Sequence, residues 1–407
     1  MAGRRSARGL GTPDRSTADL VAGFTAGFTQ RTLTEHGVVS GLGVWLLLAL
    51  LAPGAPGPAR TVLEEALGTD APDAAARAAE LLDNAHPDVA QALAVWAQRV
   101  LLTPAFDRWA AGLPGAVARG AMPTQEQADT WTAQETRGLI GRFPITLRPL
   151  TGPSPTAVVL TSALATQIRW STLFDLADEP LGGAFVPAQP VLSSRPQHDV
   201  RLTDTVAAGR VAVHTAWSDG GLRVLSVIAE PGRTVGDVHQ AALEAVGSPG
   251  VDLFDVPLGA GHAWTLDESV KTMVSRTDRS TTTHALLPTW KAATDLDLSG
   301  EPWFAAAVAT MQPWVTEPDG LEGRQSAVAS YDQTGFSAAA VTAFGVRGAS
   351  AYRPQPRRQV RIRHLEVRFD RPYSVVAVAD LPSRPPNPRL DHWNGIPVFS
   401  AWVANPR

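Results

Sequence analysis

The chain has 407 residues, 44% of them hydrophobic and 18% charged, with a formal net charge of -4 and no cysteine. That apolar content excludes general disorder and leaves the domain count open between one large core and two ordinary ones. The near-neutral balance gives no bulk electrostatic signal toward nucleic acid or an anionic membrane, so a protein or a small molecule is the default partner. Without cysteine there are no thiol nucleophiles, disulfides or cysteine metal sites, and stability rests on packing.

Met1 to Arg15 carries Arg4, Arg5, Arg8 and Arg15 with no apolar core behind them. It reads as a flexible tail rather than a secretory signal, which predicts a cytoplasmic location. Ser16-Thr17-Ala18-Asp19 has the pattern of a capped helix start, and Leu20, Phe24 and Phe28 follow at helical spacing. Gly41 to Leu51 is apolar almost all round, which predicts a helix buried on every side, and the apolar run Val44–Ala52 is far too short to span a bilayer. Helices are predicted over Thr61–Leu67, Pro72–Leu82 and about Gln125–Ile140, with buried strands over Ala92–Trp96 and Ala157–Ala165. From about Asp199 strands dominate: Val211–Val213, Leu222–Ile228, Ala285–Leu287, Val360–Val367 and Ser374–Ala379. Helices first and strands later predict an α+β fold. Glycine and proline are scattered and mark no linker, so residues 16–407 read as one domain.

The usual catalytic signatures are missing. The sequence has no Gly-x-Ser-x-Gly elbow, phosphate loop, dinucleotide glycine pattern or His-Glu-x-x-His, and its nine histidines show no pair at metal-ligand spacing. His364-Leu365-Glu366 has the His-x-Glu of a zinc deaminase, but the cysteine partner motif is impossible here. A Ser, His and Asp distant in sequence can still meet in space, and no motif reports that arrangement.

A series of ordered motifs from Ser16 onward resembles the serpin family. Val38–Trp45 resembles the strand entering helix B. Trp131, Thr136, Gly138 and Ile140 resemble the helix F signature. Val158 to Phe174 is similar to the long central strand ending in Trp-x-x-x-Phe, here Trp170 and Phe174. Leu287-Pro288-Thr289-Trp290-Lys291 resembles the element before the last helices. Phe369–Tyr373 and Phe399–Pro406 resemble the final core strands. The resemblance implies three β-sheets, about eight to nine helices and an exposed reactive-centre-like loop at about 335–361. It further implies a monomer without cofactor or metal whose partner is a serine protease.

Within that loop, Gly335, Phe336, Ser337, Ala338, Ala339, Ala340, Val341 and Thr342 resemble the serpin hinge. Taken alone, such a tract is also an ordinary Ala-rich helix start. In the inhibitory mechanism the cut loop enters a sheet as a new strand, and small side chains pass into a preformed core without strain. Phe336 departs from the family's Thr or Ser and is expected to resist the first step of insertion by overpacking. The residues expected to govern sheet opening are Ser40, Gly43 in place of a second serine, Ser162 and Gln325, with Trp170 retained at the top; for Ser40 and Trp170 plain core packing is an equal alternative. The usual family spacing forward from Gly335 gives Ala349-Ser350 as the scissile bond, whereas counting back from Pro372 leads to Val360–Arg361. The candidate scissile region therefore contains Arg347, Ala349, Ser350, Arg357, Arg358 and Arg361, a basic stretch suited to a trypsin-like or subtilisin-like protease. Two functions stay open: a suicide-substrate protease inhibitor, or a serpin-type scaffold used for ligand binding or cofactor-free catalysis.

Overall fold

The structure, a computed structural model, describes residues 15–185, 190–259, 263–336, 357–380 and 391–406. Eight α-helices lie among them, five of which end before residue 112. The first, Thr17–Thr32, begins with the predicted box: the Ser16 hydroxyl accepts from the Asp19 N–H at 3.1 Å while the Asp19 carboxylate accepts from the Ser16 N–H at 3.2 Å. Helix Gly41–Leu51 has ten of its eleven residues buried, so it forms the centre of the molecule. Helix Gln125–Glu135 is shorter than predicted. Arg137 and Gly138 turn left-handed, with φ of 54° and 81°, and the Thr136 hydroxyl accepts from the Ile140 N–H at 3.1 Å, which ends the helix five residues early. No helix among the described residues is long and apolar enough to cross a membrane.

A six-stranded sheet runs in the order Gly37–Val39, Pro397–Val403, Tyr373–Ala379, Leu222–Ala229, Gly209–Trp217, Asp199–Thr205. Its strands 373–379 and 397–403 are buried along their whole length, as expected of strands covered on both faces. A five-stranded sheet runs Trp264–Val274, Arg357–Arg368, Arg279–Pro288, Val191–Ser193, Asp175–Ala177. The remaining strands were expected to make one further sheet. They instead form a three-stranded piece, Ala118–Ala121, Val89–Ala97 and Val158–Thr166, a separate pair, Trp290–Asp297 with Arg324–Tyr331, and a two-residue pair, Ile168–Arg169 with Gly335–Phe336. The three-stranded piece and the longer pair lie against helix Gly41–Leu51 or its flanking strand Gly37–Val39.

Candidate functional site

The division of that third sheet creates the site. Among the described residues, Val158–Thr166 pairs only with Val89–Ala97, and Arg324–Tyr331 only with Trp290–Asp297. Between them lies a slot with two unpaired strand edges. Its middle is a narrow space of about 70 Å³ lined by Ser40, Gly43, Trp131, Thr136, Ser162 and Gln325. Toward the base it adjoins a cavity of about 710 Å³ lined by apolar side chains such as Leu47, Leu51, Leu160 and Phe304 and by charged ones, among them Arg148 and Glu317.

The sheet-opening residues inferred from the sequence meet in the middle of the slot. Ser40 caps helix Gly41–Leu51, its hydroxyl accepting from the Gly43 N–H at 3.1 Å and donating to the Val398 carbonyl at 2.8 Å. Gln325 reaches across from one half-sheet to the Ser40 backbone, accepting from its N–H at 3.1 Å and donating to its carbonyl at 2.9 Å. From the other half-sheet, the Ser162 hydroxyl donates to the Gly43 carbonyl at 3.2 Å. A Cβ at Gly43 would stand 3.3 Å from that hydroxyl and 3.2 Å from Leu164, so glycine lets the strand and the helix approach closely. In the middle of the slot each half-sheet is thus tied to the same helix end.

Among the described residues, backbone pairing closes the slot at its top. After Tyr331 the chain reverses in a turn built on Asp332, whose carboxylate accepts from the Thr334 N–H and hydroxyl at 2.8 Å each and from the Gly335 N–H at 3.1 Å. Trp170 docks this turn, donating from its indole to the Asp332 carbonyl at 3.0 Å and from its backbone to the Thr334 carbonyl at 3.1 Å. Gln333 exchanges two further bonds with the Phe174 backbone, at 3.2 and 3.1 Å. The returning chain then pairs antiparallel with the short strand Ile168–Arg169 that follows Val158–Thr166, Gly335 opposite Arg169 and Phe336 opposite Ile168. A Cβ on Gly335 would lie 2.1 Å from the Ile168 carbonyl oxygen, so only glycine fits there.

Phe336 was expected to resist entry. Its side chain is 3% exposed and stands edge-on to the Trp290 ring at 6.2 Å, while Trp290 stacks on Tyr331 at 5.9 Å. The ring has an aromatic seat, and overpacking does not arise for this residue in this state. Ser337, Ala338, Ala339, Ala340, Thr342, Arg347, Ala349 and Ser350 lie outside the described residues.

Arg357, Arg358 and Arg361, expected within the loop, belong to strand Arg357–Arg368. That strand is paired on both sides, over eleven residues with Trp264–Val274 and over eight with Arg279–Leu286. The turn at 275–278 passes across its entry, where the Asp278 carbonyl accepts from the Arg361 N–H at 2.9 Å. Any exposed loop must therefore end before Arg357. Sequence reading missed this enclosure because it depends on which distant segment enters between the two arms.

Beneath the top of the slot, Phe174 packs at 4.4 Å on His198, whose Nδ1 is 2.9 Å from Nε2 of His214. Burial pulls both imidazoles below their ordinary pKa, His214 strongly, so the pair is uncharged at neutral pH. No group of three His, Cys, Asp or Glu among the described residues is placed to hold a metal ion. Asp332, Gln333 and Trp290 were not singled out from the sequence, although Asp332-Gln333-Thr334-Gly335 carries the composition of an Asx turn.

No protein-family profile and no curated protein matches the sequence. Solved structures do match the fold. The chain is similar to human thyroxine-binding globulin complexed with thyroxine (14% identity, TM-score 0.61, 96% of this chain and 98% of that one). It is also similar to Serpin48 of the insect Tenebrio molitor (14%, TM-score 0.59, 96% and 98%). The thermophilic serpin tengpin in its native state matches at 14% identity and TM-score 0.64, over 97% of this chain and 95% of that one. The fold is therefore the serpin fold, α+β, over nearly the whole chain.

Proposed function

We propose that this protein inhibits a serine protease as a suicide substrate: the protease cuts within residues 337–356, and the freed segment enters the slot as a new strand. The observation that carries the reading is the antiparallel pairing of Gly335 and Phe336 with Arg169 and Ile168, which heads the chain down into a slot bordered by two unpaired strand edges. Continuing that register would set residues 338–346 beside Val158–Thr166 and bury alternate side chains, beginning with Ala338, Ala340 and Thr342, on the core side with Phe336. Small side chains there suit a core that is already packed. The new strand would satisfy both free edges at once, a gain withheld until the segment is released at its far end, where Arg357–Arg368 is held from both sides. Arg347, and the bond between Ala349 and Ser350, are the candidate cleavage points that the sequence offers within 337–356.

The same fold supports a second reading. The cavity of about 710 Å³ at the base of the slot has the size and lining of a small-molecule site, which suits a non-inhibitory serpin-fold protein that binds a ligand. One experiment separates them. The protein is cut once within 337–356 and its unfolding midpoint compared with that of intact protein. The inhibitor reading requires a large increase together with an SDS-stable adduct to a trypsin-like or subtilisin-like protease. An unchanged or lower midpoint favours the ligand-binding scaffold.

A further inference from the structure

We propose that the outer edge of the five-stranded sheet takes up an extended acidic segment of a partner protein as an added strand beside Trp264–Val274. The idea does not depend on the inhibitor reading. Trp264–Val274 is the outermost strand of its sheet, and among the described residues its outer side bears only the bridge from Gly259 to Leu266. From Glu268 to Val274 the outward backbone groups have no strand partner. Edges of this kind are ordinarily blunted by proline, a bulge, short length or charged side chains, and of these Trp264–Val274 carries the charges, Lys271 among them. This one runs for eleven residues in unbroken register and contains no proline.

Its side chains specify the partner. Val270, Met273 and Val274 are 57%, 41% and 39% exposed, three of the eleven exposed large hydrophobic residues on the described surface and all within five positions. The register sets Val270 opposite Arg361, Met273 opposite Arg358 and Val274 opposite Arg357, so both faces of the edge alternate apolar groups with guanidiniums. Glu268 neutralises Arg361 at 2.9 Å and Arg363 at 2.6 Å. No carboxylate among the described residues lies within ion-pair distance of Lys271, Arg276, Arg357 or Arg358. This is a local cationic surface on a chain of net charge -4. A sulfated or phosphorylated polymer would use the cations but leave the apolar residues and the free edge idle. An extended peptide alternating Asp or Glu with small apolar residues uses all three.

The test uses the full chain and two capped peptides of about eight residues, a strand length typical of edge addition: one alternating Glu with Val, the other Lys with Val. The acidic peptide is expected to bind in a fluorescence-anisotropy titration, more weakly as salt rises, and to slow amide hydrogen exchange over 268–274. The double variant Lys271→Glu/Arg358→Glu should weaken binding at least about tenfold, or about 1.4 kcal/mol, with the unfolding midpoint unchanged. The proposal is overturned if neither peptide binds, if the basic peptide binds equally well, or if binding leaves exchange over 268–274 unaltered. It is equally overturned if polyphosphate or dextran sulfate binds the patch while the acidic peptide does not, which would reassign the surface to a polyanion.

Discussion

Gln325 and Ser40 form a two-bond side-chain-to-backbone clasp, at 3.1 and 2.9 Å, between a strand of one half-sheet and the first turn of the central helix. Opening the slot further on that side requires breaking the clasp and no strand ladder. Replacing Gln325 with Ala leaves a buried N–H and carbonyl without their partner, which costs about 1–3 kcal/mol. Urea unfolding of Gln325→Ala should show that loss with an unchanged m value. A loss below about 0.5 kcal/mol would mean that water replaces the amide and that the clasp adds nothing to stability.

At the top of the slot the two described hinge residues make opposite demands. Gly335 must lack a side chain, because a Cβ would sit 2.1 Å from a backbone oxygen. Phe336 must have one, because its ring fills the space beside Trp290. Gly335→Ala is expected to undo the pairing with Ile168 and Arg169 and to speed proteolysis near the turn at 332–335. Phe336→Ala should destabilise the intact protein by about 3 kcal/mol, the lower end of Phe-to-Ala losses in packed cores. An unfolding free energy unchanged in Phe336→Ala would show that the ring has no seat in solution.

The fold was largely legible because its signals are local. The capped first helix, the all-apolar helix Gly41–Leu51 and strands such as Leu222–Ala229 follow from caps and periodicity. The meeting of Ser40, Gly43, Ser162 and Gln325 was legible only through ordered resemblance, since their bonds span up to 285 residues of sequence. The split of the third sheet was not legible at all. Hydrophobic alternation tells a strand which face to bury but not whether its neighbouring edge is paired. The burial of Phe336 escaped for a similar reason: the size of a side chain is written in the sequence, whereas the hollow beside Trp290 is assembled from segments far apart.

The two ends of the segment 337–356 are fixed unequally, by two residue pairs at Gly335–Phe336 and by nineteen at Arg357–Arg368, eleven on one side and eight on the other. Local opening scales with the ladder that must be broken, so amide exchange at Gly335 and Phe336 should be governed by local opening, and that of Val360 to Val367 by near-global unfolding. Hydrogen exchange read by mass spectrometry on peptides spanning 330–336 and 359–368 tests this directly. Equal protection at both ends would contradict a hinge at the first and an anchor at the second.

Acid sensitivity follows from four buried imidazoles, His86, His198, His214 and His239. His239 is enclosed between the Ser374 hydroxyl at 2.8 Å and the Leu33 carbonyl at 3.1 Å, and burial lowers its pKa from 6.5 to about 4. His86, His198 and His214 are shifted in the same direction, again chiefly by burial. A base whose folded pKa lies below its unfolded value binds more protons when unfolded, so stability is complete above about pH 6.5 and falls as the pH drops toward the folded pKa. For His239 the loss over that window is about 3 kcal/mol, and the other three add to it with the same sign. Unfolding free energies measured from pH 7.5 to pH 4.5 should therefore decline steadily. His239→Gln, which keeps a hydrogen-bonding side chain but cannot titrate, should be less stable at pH 7.5 and show a shallower decline. If wild type and variant have parallel slopes between pH 6.5 and 4.5, His239 is not titrating on unfolding, and the acid sensitivity must be assigned to His86, to the His198–His214 pair or to carboxylates.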